Sequence, residues 1–446
     1  MNRARLVLIR VVVIALALGL LGFVNSTFAQ INVKPSITPP LWPAGAIPGG
    51  TDLVLTVNGK NFNSNSTVNW NGSPRDTQYV SSTQLTATIP AADIATAGSA
   101  TVAIVNSSGA SNAVGFVTAL ALMDMGTSTY KSFEGGLYEN GTNEIPADHL
   151  ADGTTVAAAV QRLDTSGNPS ATGKIAFVSI GQSNPSAEFV NFVTAARRNP
   201  KVSTAIAFAN GAAAGATSCQ WAAAYGSPPC SPNTANQYDR VRDKVLASAG
   251  LTEAQVQVVW IETANRQPAA TGHPALCDPT TAGCNNTVQT EALRAEQELG
   301  QTLQAVKLRY PNIREAFLSS RIFGGYSTGP VSPEPYAFEY GLSAKWVIQA
   351  QVDQIRTGVI DPVAGDLSYG MAPWVAWSGY LWANGANSRS DALTWCDGQA
   401  GPPCNGEVDF LSDGEHEVGV GLTKTTNLLM NFFTTSPVST PWFLVH

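Results

Sequence analysis

Near its C-terminal end the chain reads Asp413-Gly414-Glu415-His416, and just after an apolar run it reads Gly181-Gln182-Ser183-Asn184. Serine is a weak nucleophile until an imidazole takes its proton, and the imidazole serves best when a carboxylate holds its tautomer. The chain has four histidines, and only His416 follows an acid by three residues. A tight turn over these residues lets the Asp413 carboxylate reach one imidazole nitrogen while the other faces outward. Ser183, His416 and Asp413 are therefore the candidate nucleophile, base and orienting acid of an acyl transfer. Glu415 and Glu417 read as solvated acids beside them, and His149, His273 and His446 show no partner pattern.

Acyl transfer also needs donors for the negative charge that develops on the carbonyl oxygen. Ser183 precedes a helical pattern, where unpaired N–H groups and the helix dipole favour such charge. A serine in that place also suits plain helix capping. The small residues of Asn210-Gly-Ala-Ala-Ala-Gly215-Ala-Thr217 let a backbone N–H approach a substrate oxygen, with Gly215 the candidate, although such a run also serves as a simple connection. Thr263-Ala-Asn265 ends another apolar run, and the Asn265 amide is a suitable side-chain donor, or else a turn residue.

The elements that must position these residues follow a strand-then-helix rhythm. Strands are expected at 174–180, 203–209, 256–262 and 313–318, and helices at 186–198, 236–249, 288–309, 336–356 and 417–433. Repeated βα units imply a mainly parallel sheet with helices on both faces, and ligands at the carboxyl ends of its strands. Ser183 falls just past such an end. The aromatic run from Tyr369 to Trp382 offers flat rings for a sugar, but packing in the core is the stronger reading.

Residues 35–118 have a different pattern, with short alternating runs closed by Asn58-Gly59, Asn71-Gly72, Pro90 and Asn106-Ser-Ser-Gly109. This argues for a small all-β sandwich. Gly59-Lys-Asn-Phe62, Val68-Asn-Trp-Asn-Gly72, the run Ser82 to Pro90 and Val105-Asn-Ser-Ser-Gly109 resemble the IPT/TIG immunoglobulin-like family. The resemblance implies a spacer or binding platform rather than a catalyst. Residues 119–172 read as a linker or an entry segment, and 173–446 as the α/β domain.

Taken in order, the Ser183 loop, the Gly215 loop, Asn265 and Asp413-x-x-His416 resemble the four blocks of the SGNH/GDSL hydrolase superfamily. Gly-Gln-Ser-Asn and Gly215-Ala-Thr-Ser-Cys-Gln-Trp221 are similar to its carbohydrate-esterase and sialate O-acetylesterase branches. The third block departs from the family, with Thr-Ala-Asn-Arg in place of Gly-x-Asn-Asp. The resemblance implies a three-layer, flavodoxin-like domain and a Ser183–His416–Asp413 triad. It also implies an oxyanion hole from the N–H groups of Ser183 and Gly215 and the Asn265 amide, with no metal or organic cofactor.

Composition bounds the rest. A net charge of −7 provides no basic footprint for nucleic acid. Charged residues make up 13% of the chain, against roughly 25% in ordinary soluble proteins. Arg3, Arg5 and Arg10, the apolar stretch 11–23 and Thr27-Phe-Ala29 read as a signal peptide cleaved after residue 29. The stretch is short for a membrane span. Cys219 with Cys230, Cys277 with Cys284, and Cys396 with Cys404 each bracket a Pro- or Gly-containing loop. None has CxxC spacing, so disulfides in an oxidising compartment are expected rather than metal ligands, with nearest-neighbour pairing inferred. The expectation is a secreted, periplasmic or cell-surface serine esterase acting on an acyl ester, most simply an acetylated carbohydrate. A non-catalytic carbohydrate-binding or adhesion protein is the rival. A lipase is a third option, weakened because no long apolar lid segment is visible.

Overall fold

The computed structural model describes residues 33–223, 236–268, 270–286, 290–331 and 333–445. The expected signal peptide, Cys230 and His446 lie outside these residues.

Alternation builds the N-terminal sandwich. In the strand Leu53–Lys60 the side chains of Leu55 and Val57 are buried, and in Gln84–Ile89 those of Leu85, Ala87 and Ile89. One sheet orders Ser36–Ile37, Leu53–Lys60, Gln84–Ile89 and Asp76–Ser81 with antiparallel pairing throughout. The facing sheet runs Gly45–Ala46, Val114–Thr118, Gly98–Asn106, Thr67–Trp70 and Ser73–Pro74. Val68, Trp70, Val102, Ile104 and Phe116 close the core between the two sheets. The segment is thus an all-β, immunoglobulin-like unit.

The second part is α/β. Its five strands are β1 (Ile175–Gly181), β2 (Ile206–Ala209), β3 (Val256–Glu262), β4 (Glu315–Ser319) and β5 (Trp374–Gly379). They are all parallel, in the spatial order β2-β1-β3-β4-β5. Period-2 alternation sends Phe177, Trp260, Phe317 and Trp374 to one face and Val178, Ile261, Leu318 and Val375 to the other. Both faces are covered, so β1 and β3 are buried throughout and read as continuous apolar runs. Helices α1 (Ala147–Ala158), α2 (Ser183–Arg198) and α5 (Val420–Thr435) contribute Ala157, Phe189, Phe192 and Phe433 to the first face. Helices α3 (Glu291–Arg309) and α4 (Tyr336–Thr357) contribute Leu303, Leu342 and Val347 to the second.

One stretch differs from simple expectation, and the aromatic run follows its stronger reading. Residues 119–172 contain a two-strand hairpin (Thr129–Tyr130 with Phe133–Glu134), but also α1, which packs on the sheet. His149 on α1 is buried, stacks on Trp374 at 4.9 Å and hydrogen-bonds through Nε2 to the Val375 carbonyl at 2.8 Å. The aromatic run 369–382 contains β5, with Trp374, Trp377 and Trp382 all in the interior. It is core, not an exposed platform.

The described residues from 35 onward form one compact unit. Buried Asn384 donates from Nδ2 to the carbonyls of Ala46 and Ala119 at 2.7 and 2.8 Å. Lys131 donates to Ser99 Oγ in the sandwich at 2.8 Å and is paired with buried Glu339. These bonds join the sandwich firmly to the α/β layers.

Candidate active site

The sheet order reverses between β1 and β3, since β2 lies outside β1 while β4 and β5 continue beyond β3. Such a switch point opens a crevice at the carboxyl ends of the strands. Ser183 stands there as the first residue of α2, with Gln182 at the cap position making no side-chain cap bond. The helix therefore begins three residues earlier than its apolar spacing suggested. The Ser183 and Asn184 N–H groups, in its first turn, have no intrahelical acceptor.

Across the crevice, His416 Nε2 lies 2.8 Å from Ser183 Oγ, and His416 Nδ1 lies 2.7 Å from Asp413 Oδ2. Asp413 Oδ1 accepts the backbone N–H groups of Glu415 and His416 at 2.9 and 3.0 Å, which fixes the carboxylate within its own turn. Burial pushes the Asp413 carboxyl up, but these two N–H groups and the imidazole outweigh it and hold it below the usual carboxylate range. The Asp413 and His416 side chains are 38% and 37% exposed, so a substrate can reach the imidazole without a lid opening.

Two glycines make this geometry possible. Gly181 ends β1 at φ +150°, where a Cβ would meet the Glu262 carbonyl oxygen at 2.1 Å. Gly414 turns the Asp413–His416 segment at φ +64°, where a Cβ would meet the Tyr326 carbonyl oxygen at 2.0 Å. Any larger residue would push apart the elements that must meet.

The expected oxyanion donors divide. Gly215 lies exposed at φ +77° in the loop after β2, two residues beyond Ala213, whose N–H donates to Gly181 O at 3.1 Å. That loop thus runs beside the end of β1. Asn265 is different. It is buried, and its Nδ2 donates to Glu291 Oε1 at 3.0 Å and Glu298 Oε2 at 2.6 Å, while its Oδ1 accepts the Cys219 N–H at 3.3 Å. Both amide hydrogens are committed to carboxylates, so the expectation of an oxyanion donor at Asn265 is corrected. The residue locks the end of β3 to α3 instead.

Some residues at the site carry no sequence signal of their own. Asn184 donates from Nδ2 to the Glu415 carbonyl at 2.7 Å, tying the Ser183 helix directly to the His416 turn. Glu415 Oε1 accepts Ser327 Oγ at 2.7 Å and the Val331 N–H at 3.0 Å, and Thr328 N–H donates to Asp413 O at 2.9 Å. Glu417 is buried, which corrects its reading as a solvated acid. A cleft of about 600 Å³ borders this loop, walled by Ser327, Thr328 and Tyr336 on one side and by Ser99, Thr101 and Val114 of the sandwich on the other.

Disulfides join Cys277 to Cys284 and Cys396 to Cys404. Cys219 is disulfide-bonded as well, while its expected partner Cys230 lies outside the described residues. Cys396, Glu407 and Asp409 cluster closely enough for a metal, but Cys396 is bonded to Cys404 and Lys424 Nζ already bridges the two carboxylates. No helix among the described residues is long and apolar enough to cross a membrane.

Residues 35–118 match the IPT/TIG domain family, so the sandwich is an IPT/TIG domain. No curated protein matches the chain. Among solved structures, an auxiliary nutrient binding protein from Bacteroides ovatus is 20% identical over 18% of this chain and 20% of its own, with a TM-score of 0.14. A polysaccharide lyase is 10% identical over 37% of this chain and 22% of its own, with a TM-score of 0.15. The multi-modular chitinase ChiW of Paenibacillus sp. is 12% identical over 74% of this chain and 24% of its own, with a TM-score of 0.17. The chain spans only 20% to 24% of each, and at these scores the likenesses carry no argument.

Proposed function

We propose that this protein is an exported serine esterase of the SGNH/GDSL type that removes a small acyl group, acetyl above all, from a carbohydrate. The observation that carries the reading is the continuous chain from Ser183 Oγ through both nitrogens of His416 to Asp413, with contacts of 2.8 and 2.7 Å across 233 positions of sequence. A serine, an imidazole and a carboxylate in that order are what an activated nucleophile requires.

In the reaction, His416 Nε2 takes the Ser183 proton as Oγ attacks the ester carbonyl. Charge passes to the carbonyl oxygen, which accepts hydrogen bonds from the Ser183 and Gly215 N–H groups. The tetrahedral adduct collapses, the C–O bond to the alcohol breaks, and the imidazolium returns its proton to the leaving oxygen. Water then attacks the acyl-serine with His416 again as base, releasing the acid and free Ser183. Asp413 stays ionised and holds the Nδ1–H tautomer. No step calls for a metal or an organic cofactor.

The carbohydrate part of the reading rests on the resemblance of the Gly-Gln-Ser-Asn and Gly-Ala-Thr-Ser-Cys-Gln-Trp segments. Disulfides at Cys277–Cys284 and Cys396–Cys404 favour an oxidising compartment. The purified protein should release nitrophenol from p-nitrophenyl acetate and acetate from acetylated oligosaccharides, and Ser183 should take up a fluorophosphonate. Glycan binding with neither turnover nor labelling would favour instead a binding protein that retains the fold.

A further inference from the structure

Beneath the Ser183–His416 contact lies a group of charges that the reaction does not use. Glu188 is on α2 five residues after Ser183, Glu262 ends β3, Arg321 follows β4, and Glu417 adjoins His416. They are 0%, 0%, 4% and 5% exposed. Arg321 Nη1 donates to Glu262 Oε1. The Glu188 carboxyl lies within hydrogen-bonding reach of both Glu262 and Glu417, and Thr425 on α5 donates to Glu417 Oε1 at 2.6 Å.

Both oxygens of Glu188, Oε2 of Glu262 and Oε2 of Glu417 are sealed from solvent, and each lacks a donor among the described protein groups. Carboxylate oxygens facing one another with no donor between them repel. One guanidinium neutralises one of three carboxylates. The remaining two can be accommodated only if protons lie between the carboxyls, so that each acid becomes its neighbour's hydrogen-bond donor.

We propose that Glu188, Glu262, Glu417 and Arg321 form a proton-sharing clamp that holds the helix bearing Ser183 against the turn bearing His416. Loss of the shared protons opens the clamp and separates nucleophile from base at alkaline pH. These are positioning residues, since they act through the backbone of α2 and of the 413–417 turn. The charged and titratable groups that face Glu188 from the packed elements are Glu262, Glu417 and Arg321, joined by the Thr425 hydroxyl at Glu417. Burial, and then the two neighbouring acids, push the Glu188 carboxyl well above the usual range. Burial likewise pushes Glu417 up to about 8, against the opposing hydrogen bond from Thr425. The sign follows from linkage. An acid whose folded pKa is raised binds more protons folded than unfolded, so stability is full below about 4.5, falls as pH rises through about 8, and then levels off.

The catalytic part of this proposal rests on the esterase reading, while its structural part does not. The test therefore has two arms, using the full chain with Glu188→Gln and Glu417→Gln made separately, since a glutamine amide supplies the donor without a proton to lose. Melting temperature is followed from about pH 5 to about pH 9. The parent should lose stability across that window, and each variant should lose less. In the second arm, kcat for p-nitrophenyl acetate, corrected for spontaneous hydrolysis, should keep its neutral value in the variants, with the alkaline loss moved to higher pH and KM unchanged. A parent whose melting temperature is flat over the window overturns the clamp even if neither variant folds. So do variants with the parent's pH dependence in both arms, or a parent stabilised by added Ca²⁺ or Mg²⁺, which would make the cluster a cation site. If nothing is turned over and no fluorophosphonate adduct forms, the esterase reading fails, and the melting arm still decides the clamp.

Discussion

His416 is held from both sides, by Asp413 at Nδ1 and by Ser183 at Nε2, so its ring cannot rotate without breaking one contact. Removing the Ser183 hydroxyl deletes the proposed nucleophile and one part-buried contact. Ser183→Ala should therefore abolish ester hydrolysis and fluorophosphonate labelling and leave the melting temperature nearly unchanged, as paired kinetic and calorimetric runs would show. Asp413→Asn removes the charge that stabilises the imidazolium and favours the wrong tautomer. Its kcat should fall about 10³- to 10⁴-fold with little change in KM. Asn184 bears no catalytic proton, yet it clasps the Glu415 carbonyl at 2.7 Å. Truncating it loses one buried hydrogen bond, about 1 kcal/mol. Asn184→Ala should thus lower kcat by about fivefold to tenfold while KM holds, because the loss acts on the alignment of Ser183 with His416.

At the scale of elements, the apolar runs of β1 and β3 and the helical spacing of α3 and α4 were readable because each is driven by its own residues. Starts and ends were less so. Helix α2 extends back to Ser183 because Asn184 and Pro185 are packed into the switch point, a tertiary contact that no local period reports. Pro185 sits near the N-terminus of the helix, where a missing N–H costs nothing. The junction of β1 and α2 also leaves no room for a side chain at Gly181. Gly181→Ala places a methyl group against the Glu262 carbonyl, and the protein should lose about 2 kcal/mol or more of stability by denaturant titration, with any esterase activity falling in step. Gly414→Ala should do the same from the other side of the crevice, against Tyr326. Asn265 shows the limit of motif reasoning. Its type and its place after a strand fit an oxyanion donor, but Glu291 and Glu298, 26 and 33 positions away, take both its hydrogens.

Across the whole molecule, the IPT/TIG domain and the α/β layers share buried bonds rather than a loose linker. Asn384 satisfies two otherwise buried carbonyls, Ala46 on the sandwich and Ala119 where the chain leaves it. Calorimetry should therefore show one transition for the two parts. Asn384→Ala should cost about 1–3 kcal/mol, lowering that transition or splitting it in two. The amino-acid sequence by itself determined the class of each part, because alternation of period two and apolar runs of strand length are local consequences of what each side chain buries. It also narrowed which residues were chemically able to act, since only one histidine follows an acid by three residues. Tertiary structure alone decided which of them meet. The 233 positions between Ser183 and His416 are closed by a sheet whose order reverses at β1, and the pairing of buried groups decides whether a side chain is free for chemistry or already spent on holding the fold.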